Sequence, residues 1–117
     1  MGRKKFILTQ RHQVIHDQMI KFACNVLGRS NKTANDYAES MERYLPRFMK
    51  NFMHIENAAS SIYDIMNIEY LNYLYDSIKK NEVWNQYNKH SHASTLTSGL
   101  RCYILFIQSE YYPYKMD

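Results

Sequence analysis

Apolar residues recur along this chain at steps of three and four, the spacing of one face of an α-helix. Ile15, Met19, Phe22 and Val26 form the first stripe, in a helix expected to start near Thr9 and stop at Gly28. Threonine is a favoured N-cap and glycine a favoured C-terminal stop. The second stripe is Ala34, Tyr37, Met41, Leu45 and Phe48, opening after Ser30 or Asn31. Pro46 lies inside it and lacks a backbone donor, so this helix is expected to kink or restart there.

Residues 51–59 read as a connector. Ser60 to Ile65 is too short and mixed for a full helix; it predicts an extended or single-turn segment pinned to the core by Ile62 and Ile65. Asn67 then caps a third helix with Leu71, Leu74, Tyr75 and Ile78 inward. Lys79 and Lys80 sit at its end, where cations suit the helix dipole. The pattern turns irregular around Trp84 and Tyr87, with Trp84 read as a core anchor. A fourth helix starts near Ser91 or Ser94 and carries Leu96, Leu100, Tyr103, Ile104 and Ile107 inward. Gly99 within it suits a close neighbour, at a small cost in helix propensity.

These elements predict an all-α, compact four-helix domain over residues 10–112. A basic arm precedes it (1–9) and a short tail follows (113–117), with Tyr111, Tyr112 and Tyr114 clustered at the end. Composition agrees: 45% of residues are apolar or aromatic and 22% charged, while 3 Gly and 2 Pro leave few turns for a many-stranded β fold. Cys24 and Cys102 stand apart in helical patterns and read as reduced core residues, which points to the cytoplasm. No run approaches a membrane span or forms a signal peptide.

Charge changes the picture more. Residues 1–50 hold ten Lys/Arg against four Asp/Glu, whereas residues 51–117 hold five against seven. A basic first half suits an anionic partner, nucleic acid first of all. Catalytic patterns are missing: there is no phosphate-cradling glycine loop, no nucleophile elbow and no paired carboxylates. His12 and His16 have a zinc-compatible spacing but no third ligand nearby, and exposed polar positions account for both. His90 and His92 flank Ser91, as a cap region or a phosphate neighbour. No cofactor, metal or catalytic residue is expected, and the chain is not read as an enzyme.

Donors gather at two helix starts. The second helix opens with Arg29, Ser30, Asn31, Lys32, Thr33 and Asn35, and a helix N-terminus attracts phosphate by its free N–H groups and dipole. The fourth opens with Lys89, His90, Ser91, His92, Ser94 and Thr95, continuing to Ser98 and Arg101. Thr95, Ser98 and Arg101, three apart, share much of the face opposite the apolar stripe.

In order, these pieces resemble the core-binding, SAM-like N-terminal domain of tyrosine recombinases and phage integrases. The likeness runs from about residue 12 to 112. It rests on Phe22 to Leu27, on Ser30, Thr33 and Tyr37, on Ile62 to Ile65, on Leu71 to Leu74, and on Ser91 or Ser94 with Leu100 and Tyr103. "TANDY" and "SIYDI" are similar to versions of the module fused to nuclease or restriction-type proteins. The resemblance implies a half-clamp on double-stranded DNA, with the second and fourth helices facing the major groove. Carried over by position, the contacts would be Asn31, Lys32, Thr33 and Asn35, then His92, Thr95, Ser98 and Arg101. Lys21, Arg43 and Arg47 would meet the backbone.

Thr97 to Arg101 also resembles the box around the first catalytic arginine of these recombinases. No histidine follows Arg101 in the sequence, so the family's His-x-x-Arg motif has no counterpart and strand cleavage by this chain alone is not expected. The resemblance thus implies a role in integration or another mobile-element process without chemistry of its own. The alternative is a helical interaction module that docks a recombinase or nuclease partner through its Tyr- and Met-rich surface.

Overall fold

A computed structural model describes residues 9–55, 62–82, 84 and 93–114. Among these the chain is all-helical, with four helices and no strand. Helix α1 spans Gln10–Asn25. Helix α2 runs on without a break through three pieces: α-helical Asn31–Glu39, a π-helical turn over Ser40–Tyr44, and α-helical Leu45–Phe52. A 3-10 turn covers Ile62–Asp64, followed by α3 (Ile68–Lys80) and α4 (Ala93–Ile107). No helix among the described residues is long and apolar enough to cross a membrane.

The caps follow from the side chains. Thr9 accepts from the His12 amide, Ser30 from that of Thr33, and Asn67 from that of Tyr70. Each satisfies one of the donors a helix start leaves free. At the other end, Gly28 takes a left-handed φ of 68° and Arg29 N–H donates back to the Ala23 carbonyl. The same turn closes α2, with His54 at φ 59° and Ile55 N–H donating to Met49. Because α1 stops at Asn25, Val26 leaves the inward stripe expected of it and stands 55% exposed.

At Pro46 the backbone of α2 stays helical without a break, and Pro46 falls in the first turn of its last α-helical piece, Leu45–Phe52. Its ring would press on the carbonyl four residues back in a regular helix. One widened turn relieves that pressure: Leu45 N–H bonds to Ser40, five residues earlier. The stripe on both sides of the turn stays buried, from Ala34 and Tyr37 to Leu45 and Phe48.

Helix α4 is the hub, packing on α1, α2 and α3. Gly99 lets it approach α2 closely, since a Cβ there would lie 3.1 Å from the Tyr37 carbonyl oxygen and 3.3 Å from Ser40 Cβ. Tyr103, fully buried, shares its hydroxyl between the carbonyls of Ile62 and Ile65 at 3.1 Å each. That bond, with buried Ile62 and half-buried Ile65, pins the 3-10 turn to the core. Trp84 is buried edge-on to Phe48 and Phe52, as a core anchor.

The tail folds back. Tyr111 packs on Phe22, Tyr112 on Phe106, and the Arg11 guanidinium sits 4.7 Å above the Tyr114 ring. Tyr112 is buried and Tyr111 half-buried, so the three do not form the exposed aromatic patch that a docking surface there would need. The greater part of the basic arm, Ser60, Ser61, Tyr87 and the segment Lys89 to His92 lie outside the described residues.

Candidate nucleic-acid interface

On α2 the side chains of Asn31, Lys32, Asn35, Arg43 and Arg47 are exposed, as is Lys21 on α1. Several are engaged locally. Asn31 accepts from the Cys24 thiol at 3.3 Å, and Asn35 donates to the Asn31 carbonyl at 2.7 Å. Thr33 is half-buried and accepts from the Ser30 hydroxyl at 3.1 Å. Lys32 pairs with Asp36 at 3.2 Å, and Arg43 with Glu39 at 3.7 Å. Exposed pairs of this kind contribute about 0.3–0.5 kcal/mol and give way readily to a stronger anion.

Arg47 lies 5.9 Å from the centre of the Tyr44 ring, a cation–π contact that leaves its charge available. Among the described residues no carboxylate lies within ion-pair distance of Arg29, Arg47, Lys50 or Arg101. Arg29 and Lys50 stand outside the contacts that the resemblance carries over by position. Their signal was plain enough, since Arg29 precedes the cap and Lys50 follows Arg43 and Arg47 along the polar ridge.

On α4, Ser98 and Arg101 are exposed and Thr95 is half-buried, in one row that continues to Leu105 and Gln108. His92 lies outside the described residues. Two observations tie this helix to the start of α2. One is the Gly99 contact with Tyr37 and Ser40. The other is Arg29, whose positive charge acts against the burial that lifts the Cys102 thiol to about 12. Cys102 is buried and free, and Cys24 is free but only half-buried, so the expectation of two core cysteines holds for Cys102 alone.

The histidines of α1 are not exposed polar residues. His12 is buried and His16 half-buried, and each faces a carboxylate. His12 Nε2 lies 3.2 Å from Asp64, which also meets Arg11 at 3.7 Å. His16 Nδ1 donates to Glu42 Oε2 at 2.5 Å, and the Tyr63 hydroxyl donates to that same oxygen. His12 packs edge-on against Tyr63, which joins the two pairs into one polar cluster between α1, the π turn and the 3-10 turn.

The electrostatics follow from that geometry. Glu42, by its hydrogen bond and charge, raises the His16 pKa above its ordinary value, with Asp17 assisting and burial opposing. Tyr63 is driven far up by burial first and Glu42 second, so it stays a neutral donor. Among the described residues no three His, Cys, Asp or Glu side chains converge on a point that could hold a metal ion. A signal for the cluster was present in the sequence: His12 is three residues before Ile15 and so extends the inward stripe by one step.

No family model matches the chain, and neither the curated proteins nor the solved structures hold a significant match to it.

Proposed function

We propose that the chain is a double-stranded DNA-binding domain that grips the duplex with the outer faces of α2 and α4, aided by the basic N-terminal arm, without chemistry of its own. The supporting observation is the unneutralised charge along those faces. Arg29, Arg47, Lys50 and Arg101 have no carboxylate partner among the described residues, and Lys32 and Arg43 have only weak exposed ones. Such cations bind phosphate by releasing counterions, so affinity is expected to be mainly electrostatic with modest sequence preference. Exposed Asn31, Asn35 and Ser98 supply small donors and acceptors of the type that contact phosphates and base edges. The resemblance to recombinase core-binding domains favours the same reading, and with it a place in integration or another mobile-element process.

Fluorescence anisotropy with a labelled duplex at two salt concentrations tests it. Four to six phosphate contacts give a slope of log K against log[salt] of roughly −4 to −5. Replacing Arg47 and Arg101 together with Ala should weaken binding and flatten that slope by about two. No binding at low salt, or a double variant that binds like the parent, would end the proposal.

A further inference from the structure

We propose that His16, Glu42 and Tyr63 form a proton-operated latch that holds the widened turn of α2 against α1. The arrangement is specific to that turn. Glu42 is one of the five residues of the π segment, and its carboxylate, with a side chain only 10% exposed, points back to α1. It accepts on one oxygen from His16 of α1 and from Tyr63 of the 3-10 turn. A buried carboxylate needs such partners, because without them it would carry the full cost of leaving water.

The charged groups acting on His16 are Glu42 across the junction and Asp17 beside it. Behind the latch, Arg11 and His12 of α1 engage Asp64, while Tyr103 of α4 packs against the Tyr63 ring. Tyr63 remains neutral across the accessible range, so His16 is the group of the latch that changes charge near neutrality.

The sign follows from linkage. Protonated His16 gives Glu42 a charge-assisted bond, and its pKa in the folded chain lies above the ordinary 6.5. The stabilisation is therefore complete below 6.5 and is lost as pH rises through the folded value. Above it, neutral His16 still donates from Nδ1, but to a carboxylate it no longer neutralises. The latch then loosens without parting. Arg43 follows Glu42 directly and Arg47 lies one turn on, so the latch also governs how firmly those cations are held. The latch itself does not depend on the DNA reading.

NMR on the intact chain tests it without any ligand. The His16 imidazole should titrate above 6.5, and the amide protection factors of residues 40–47 should fall as pH rises through that midpoint. Two variants remove the titration from opposite sides. Glu42→Gln should bring the His16 midpoint down, and His16→Gln should leave protection at 40–47 independent of pH between 6 and 8. An imidazole that titrates at or below 6.5 in the parent chain overturns the latch, as does pH-independent protection there. Should either variant fail to fold, the parent titration and the remaining variant still decide.

Discussion

Gly99 of α4 stands so close to Tyr37 of α2 that a methyl group on it would lie 3.1 Å from the Tyr37 carbonyl oxygen. Alanine in a helix interior ordinarily gains about 1 kcal/mol over glycine. Here the obstructing atoms include α2 backbone, which cannot swing aside, so Gly99→Ala should destabilise the fold, by about 1–2 kcal/mol net of that gain. Urea denaturation measures it. A variant more stable than the parent would show that α4 does not approach α2 as described.

Tyr103 contributes through its oxygen as well as its ring. Tyr103→Phe keeps the packing but leaves the carbonyls of Ile62 and Ile65 without that donor. The expected loss is about 1–3 kcal/mol. Faster amide exchange around the 3-10 turn, with α1 and α2 little changed, would place the loss where the bond is.

Two positions with left-handed backbone predict opposite results. Gly28 has φ 68° with open space around it, so Gly28→Ala meets no neighbour but is strained by its own backbone, by about 1 kcal/mol. His54 already carries that strain at φ 59° and is exposed. His54→Gly should raise stability, by up to about 1 kcal/mol. Thermal denaturation of the two variants beside the parent checks both signs.

The thiols should react in order. Burial lifts Cys102 to about 12, leaving almost no thiolate at neutral pH, whereas Cys24 is half-buried near the end of α1. Alkylation of the native protein at pH 8, read by mass spectrometry, should modify Cys24 first and reach Cys102 only on unfolding. Equal labelling of both would contradict the packing of α4.

Much of this architecture was legible in the sequence because it depends on near neighbours. The stripes from Ile15 to Phe22, from Ala34 to Phe48 and from Leu96 to Ile107 are buried as their spacing predicts, and so are Leu71, Leu74 and Ile78 of the third, whose Tyr75 is only half-buried. The caps at Thr9, Ser30 and Asn67 act within three residues of themselves. What was illegible acts at a distance. His16 meets a carboxylate 26 positions on and His12 one 52 positions on, and local pattern identifies neither partner. Nor could spacing decide how Pro46 is absorbed, since a kink, a break and a widened turn all suit the same letters. For the candidate interface, exposure of Lys32, Arg43, Arg47, Ser98 and Arg101 followed from the polar side of each stripe.

The widened turn at Ser40–Tyr44 has one more consequence, for how α2 tolerates change. It carries about one residue more than a regular turn, and each residue turns a helix by roughly 100°. Deleting one residue there would leave every remaining side chain chemically intact and could let the backbone regain its regular spacing. The helix beyond would then keep its facing, with Phe48 against Trp84 and Arg47 outward, because the lost residue is the one that the widened turn absorbs. Losing one residue in this stretch is thus absorbed by the turn, whereas losing one from the regular helix on either side would turn the buried face by about 100°.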